Sequence, residues 1–148
     1  MDKHPSCSDE QQIAEKYIVS AVAKDLGLNE SDLAETALAI EDKTYVNVDG
    51  YHINPNIICE AWSHVGKPKV AQTYKVMNDA LKMIYVEKAL GTSFRKILAF
   101  CDVDSASKFL GNSWHAKCLQ KFDIEVKVVA IPEGIKESVI MAQKRQFR

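Results

Sequence analysis

Two short apolar runs, "NIICEAWSHV" around residue 60 and "KILAFCD" around residue 98, constrain this chain more than any other feature. Each has the length of a strand and little polar alternation, the pattern of strands buried inside a sheet. Between them, "KPKVAQTYKVMNDALKMIYVEKALG" carries a helical period and stops at Gly91. Strand, helix, strand in that order calls for a crossover, so the helix must lie across one face of the sheet.

Upstream, "TALAIE" and "TYVNVDGYHI" are rich in β-branched and aromatic residues and are punctuated by Asp-Gly and Asn-Pro turn signals. They predict strands able to pair antiparallel. A first helix is expected from a capping box of Ser8 and Gln11, with Ile13, Ala14, Tyr17, Ile18, Ala21, Val22 and Leu26 at helical spacing until Gly27. Downstream, "SASKFLGNSWHAKCLQKF" reads as a helix with Trp114 in the core, "IEVKVVAIP" as a strand, and "EGIKESVIMAQKRQFR" as a basic terminal helix. The expected class is α/β, a mixed sheet flanked by helices on both faces.

At 148 residues the chain suits one domain spanning 1–148, with residues 1–7 expected to fray. No apolar stretch approaches the roughly 18 residues of a spanning helix. The start "MDKHPSCSDEQQ" has no apolar signal core. The expectation is a cytoplasmic chain without a membrane partner. Cys7, Cys59, Cys101 and Cys118 form no CxxC pair and read as free thiols. Charge is unevenly spread: residues 1–66 hold 4 Lys/Arg against 12 Asp/Glu (−8), residues 67–92 hold 5 against 2 (+3), and residues 93–148 hold 10 against 6 (+4). An acidic front and a basic back fit a protein that gathers cations on one side and meets an anion on the other, although small imbalances of this kind are common.

Glu60 is the anomaly. An unpaired polar group in a buried strand costs about 2–7 kcal/mol, and a charge costs more. By strand alternation Glu60, Trp62 and His64 share one side while Cys59, Ala61 and Ser63 face the other. Asp49 closes the preceding strand, so the two carboxylates can converge. One Asp, one Glu and a backbone carbonyl suffice for Mg²⁺, which keeps several waters. On the following helix Gln72, Lys75, Asp79 and Lys82 form a polar stripe opposite Val70, Tyr74, Met77, Leu81 and Ile84. That stripe either faces the carboxylates or is a solvated ion-pair ladder.

The run "VNVDGYHINPNIICEAWSHVGKPKVAQTYKVMNDALKM" resembles the core of the PD-(D/E)XK nuclease superfamily, the restriction-endonuclease-like fold with element order α-β-β-β-α-β. The resemblance covers residues 9–102. It implies a nuclease that hydrolyses DNA phosphodiesters with Mg²⁺, or Mn²⁺ in its place. Asp49 and Glu60 would hold the metal, Ala61 would lend its carbonyl, and Glu15 would match an acidic residue that some members add. Where the pattern has lysine this chain has Trp62. Lys75, or less favourably Lys69, would supply the missing cation from the helix, with Gln72 beside it. Lys67, Lys69, Lys75, Lys96, Lys144, Arg145 and Arg148 would contact phosphates. The alternative is a catalytically inactive module of the same fold that binds nucleic acid or a protein partner in a DNA-processing or defence complex. A homodimer is common for single domains of this type.

Other residues have plainer readings. Asp104 or Ser105 is expected to cap a helix after the "KILAFCD" strand, although Asp102 and its neighbours also occupy the end of the sheet where a flavodoxin-like domain would bind a ligand. His52, His64 and His115 lack metal spacing, and His64 is a candidate supporting group beside the carboxylates. Trp62 either packs over the site or stacks on a base.

Overall fold

The computed structural model describes residues 9–146. The Ser8 cap, the segment 1–7 expected to fray, Cys7 and Arg148 lie outside that range. Helix α1 (Asp9–Asp25) buries Ala14, Ile18, Val19, Val22 and Ala23 and ends at Gly27, whose φ of +78° closes the turn. Strands β1 (Ala34–Glu41), β2 (Thr44–His52) and β3 (Ile57–Trp62) follow. Helix α2 (Val70–Leu90) is capped by Gly91 in the left-handed region. Then come β4 (Arg95–Phe100), a single turn α3 (Val103–Ala106), a 3₁₀ turn (Ser107–Phe109), α4 (Trp114–Lys121), β5 (Ile124–Val128) and α5 (Glu133–Gln146).

The five strands form one mixed sheet in chain order, β1-β2-β3-β4-β5. β1, β2 and β3 pair antiparallel, whereas β3, β4 and β5 pair parallel through helical crossovers. An antiparallel start removes the flavodoxin-like alternative. Because β3 and β4 are covered on both sides, two cores form. Ile58, Leu98 and Phe100 meet Val76, Met83, Phe109 and Leu119 on one face, and Ile57, Cys59, Ile97 and Ala99 meet Ile18 and Val22 of α1 on the other. α5 packs on α1. Among the described residues no helix is long and apolar enough to cross a membrane, and Cys59, Cys101 and Cys118 are free thiols.

Three expectations change. The segment 105–122 is not one helix: the chain breaks around Gly111, and Ser113 starts α4 afresh by accepting the Ala116 N–H. Trp114 is therefore 66 % exposed and stacks on His115 rather than entering the core. The turn after β4 is capped by Asp102, not by Asp104 or Ser105; its carboxylate accepts the Ser105 N–H. On α2 the buried face is Thr73, Val76, Ala80, Met83 and Val86, while Val70, Tyr74 and Leu81 are about two-thirds exposed.

Gly50 sets how closely α1 approaches the sheet. A Cβ there would lie 3.1 Å from Val19 Cγ1 and 3.2 Å from Cys59 Cβ, both packed in the core. Gly50→Ala is expected to cost about 1–3 kcal/mol by overpacking. Urea denaturation checks this, and an unchanged midpoint would show that the helix can lift away freely.

Candidate active site: an acid cluster with one lysine

Glu60 is 4 % exposed, in a strand whose residues are buried almost throughout. Alternation along β3 turns it toward α2 with Ile58 and Trp62, away from Cys59 and Ala61, which belong to the α1 core. Lys82 of α2 places its ammonium 3.0 Å from Glu60 Oε1 and 3.7 Å from Asp79 Oδ1. At that distance the ammonium is the charged partner of Glu60, and the ion pair and hydrogen bond it makes draw the carboxyl down against burial. The Trp62 indole N–H, two residues on, is buried without an acceptor among the described residues. An orphan of this kind costs about 1–3 kcal/mol.

Asp49 stands in β2 one step beyond the Gly50–Cys59 pair, where the β1–β2 register shifts between Ala34–Tyr51 and Thr36–Val48. Irregularities of this kind re-aim side chains. Here the carboxylate turns onto the neighbouring strand: Asp49 Oδ2 accepts the Ala61 N–H at 2.8 Å. Ala61 is thus tied to the site through its N–H.

The electrostatics follow from crowding. Burial, reinforced by the charges of Asp49 and Asp79 and opposed by Lys82, pushes Glu60 up to about 9. Burial with Asp49, Asp79 and Glu35 nearby lifts Glu15 to about 8. Burial also raises Asp79 to about 6, against the pull of Lys82. For Lys82 burial works downward, but Glu60, Asp79 and Asp49 outweigh it and hold the ammonium charged. Glu60, Asp79 and Asp49 act on the one ammonium of Lys82, and Glu15 of α1 is coupled to Asp49 and Asp79 without reaching Lys82, so Glu60 and Glu15 retain their protons at neutral pH. Shifts of this kind, in a recess, are typical of functional sites. Glu15 and Asp49 also line a cavity of about 640 Å³ between α1 and β1.

Of the lysines considered from sequence, Lys82 is the one at Glu60. Lys75 instead lines a shallow groove with Trp62, Tyr74, Asn78 and Asp79. The two lysines share a helix face, but seven residues separate them by about 10 Å along the axis. The connection 63–69 sets the level of the helix. Its Val65 is clamped by Gln143, which accepts the Val65 N–H at 2.8 Å and donates to its carbonyl at 3.0 Å, and Gly66 donates to Asp102 Oδ2 at 2.8 Å. The helix then begins past the strand end, and Lys82 falls level with Glu60.

The remaining sequence candidates disperse. Gln72 holds the start of α2: its Oε1 accepts the Lys69 N–H at 2.7 Å, which turns its amide N–H to His64 Nδ1 at 3.1 Å. His64 is buried beside Trp62, and burial lowers its pKa. Lys67 and Lys69 are exposed in the connection before α2. Lys96, expected to contact phosphates, is buried with its ammonium 2.8 Å from Glu87 and cannot do so. Arg145 lies on α5, bound to Glu10 of α1 at 2.7 Å, away from the acid cluster. Asp79 and Lys82 complete the cluster that sequence reasoning centred on Lys75. Their signal was the polar stripe, which periodicity alone could not place in depth.

Among the described residues, no three His, Cys, Asp or Glu side chains form a ready-made metal cage. Asp49 and Glu60 stand on paired strands one step beyond the Gly50–Cys59 pair, with Asp49 Oδ2 bound to the Ala61 N–H and Glu60 Oε1 bound to Lys82. Compared with protein families, curated proteins and solved structures, the chain matches none.

Proposed function

We propose that this α/β protein is a Mg²⁺-dependent phosphodiester hydrolase acting on DNA, a divergent relative of the PD-(D/E)XK nucleases. The element order α-β-β-β-α-β and the antiparallel-then-parallel sheet support that lineage. The observation that carries the reading is Glu60: a carboxyl group 4 % exposed in an apolar strand, one strand from Asp49, with its Oε1 3.0 Å from a lysine of the next helix.

Glu60 and Asp49 would hold the cation, with Glu15 as a further acid at the rim. Bound there, Mg²⁺ would stabilise negative charge on the phosphate and acidify water. The protein's own contribution is positional. The Ala61 N–H fixes Asp49, β3 fixes Glu60, and the charged Lys82 supplies a positive centre where a phosphate's developing charge needs one. Lys82 thereby takes the part that the family pattern gives to the lysine replaced by Trp62.

Purified protein is expected to nick supercoiled plasmid with Mg²⁺ or Mn²⁺, and Asp49→Ala is expected to abolish this. Lys82→Gln should lower the rate about 100-fold or more, within the range of general acid–base and electrostatic groups, whereas Lys75→Gln should change it several-fold at most. Cleavage by Asp49→Ala would end the proposal, and equal effects of the two lysine variants would remove Lys82 from it. A second reading, an inactive nucleic-acid-binding module, is favoured by Trp62 in the motif position. It predicts no rise in Tm on adding Mg²⁺ or Mn²⁺, whereas an operating site gains stability with ion concentration.

A further inference from the structure

The groove beside the acid cluster is lined by Trp62, Tyr74, Lys75, Asn78 and Asp79 and has a volume of about 500 Å³, within the range of small-ligand sites. Tyr74 is 66 % exposed on the outer face of α2, although its ring is large and apolar. Trp62 is partly buried against the α2-side core, its indole N–H turned inward, and the rest of its ring lines the groove. Asn78 is exposed beside it, able to donate and accept along a base edge. Lys75 lines the groove itself, and Lys67 and Lys69 are exposed in the connection that leads into α2. Asp79 belongs both to the groove and to the group around Lys82.

We propose that this groove seats an unpaired nucleobase of a single-stranded substrate, stacked on Tyr74 and Trp62, with the adjoining phosphate directed to Glu60. The proposal rests on the nuclease reading and specifies its substrate. Trp62 follows Glu60 by two positions and shares its side of β3, so it is the next side chain along the strand from the acid. A base held there would have its phosphodiester on the side of Asp79, which belongs both to the groove and to the group around Lys82 and Glu60. Duplex DNA keeps its bases stacked and paired, so it offers this groove no free aromatic face and no free base edge. A single strand offers both, and aromatic platforms with flanking lysines are the usual means of holding one. The Trp62 that breaks the lysine pattern thus acquires a role of its own. It exchanges a catalytic cation on the strand for a base-stacking surface, while the cation comes from α2.

Anisotropy of a labelled oligothymidylate and of a blunt duplex of equal length, both without divalent ion, tests this directly. The single strand is expected to bind at least tenfold more tightly, and Tyr74→Ala to lose about tenfold on the single strand with duplex affinity unchanged. In Trp114→Phe protein, where Trp62 is the only tryptophan, the oligothymidylate should quench the emission. Duplex preference, no binding of either probe, or indifference to Tyr74→Ala overturns the proposal, the last two leaving the groove to a protein partner. Cleavage assays with Mg²⁺ separate the two ideas. Tyr74-dependent strand binding without cleavage defeats the nuclease reading alone, and cleavage indifferent to Tyr74 defeats the substrate assignment alone.

Discussion

Glu60→Gln is expected to abolish hydrolysis and, at pH 8, to make the fold more stable. The neutral amide fills the same space and leaves no carboxylate to desolvate. A group whose pKa rises on folding adds stability below its unfolded value and loses it as pH climbs through the folded value. Glu60 rises from 4.5 to about 9, Glu15 from 4.5 to about 8 and Asp79 from 3.8 to about 6. All three act in the same direction, so metal-free protein should lose stability between about pH 4 and pH 9. One proton corresponds to about 1.4 kcal/mol per pH unit. The gain for Glu60→Gln at pH 8 is then on the order of a few kcal/mol, with little change at pH 4. Thermal melts of both proteins across this range in EDTA measure it. A variant less stable than the parent at pH 8, or one with an equally steep pH slope, would show that Glu60 is comfortably paired by Lys82.

Glu87→Ala should be among the most destabilising single changes outside the aliphatic core. Glu87 binds the Lys96 ammonium at 2.8 Å through Oε1 and accepts the Phe94 N–H at 2.8 Å through Oε2. Lys96 is 5 % exposed near the start of β4, the middle one of the three parallel strands. Removing the carboxylate leaves a buried ammonium and a part-buried N–H without their protein partner. Breaking such a pair from one side costs about 3–5 kcal/mol, a fall in Tm of roughly 10 °C for a chain of this size. Lys96→Met keeps the apolar stem and discards the charge, so it should cost far less and should rescue much of the loss when combined with Glu87→Ala. If Glu87→Ala melts with the parent, the ammonium reaches water and the pair contributes little.

Both results bear on what could be foreseen. Lys96 sits in "RKILAF", and its basic character suggested phosphate contact; nothing local indicates that Glu87, nine residues earlier on α2, swings over the strand to neutralise it. Lys75 and Lys82 lie on the same helix face, and the choice between them depended on how far the 63–69 connection carries the helix past β3. That distance is set by Gln143 and Asp102, residues from α5 and the end of β4. Glu60, by contrast, was conspicuous from the start, because a carboxylate in an apolar strand conflicts with its surroundings wherever that strand is placed.

The chain alone determined the kinds of elements and their order, since hydrophobic period and turn residues act over a few neighbours and distinguish strand from helix without reference to the rest. It also determined that Glu60 and Asp49 could meet, because one turn joins their strands. Depth was decided only by the tertiary structure. α2 carries two apolar stripes, and packing against β3 and β4 selected Val76, Ala80 and Met83 while leaving Val70, Tyr74 and Leu81 outside. Burial is a property of what lies opposite, and what lies opposite comes from parts of the chain too distant for any local pattern to register.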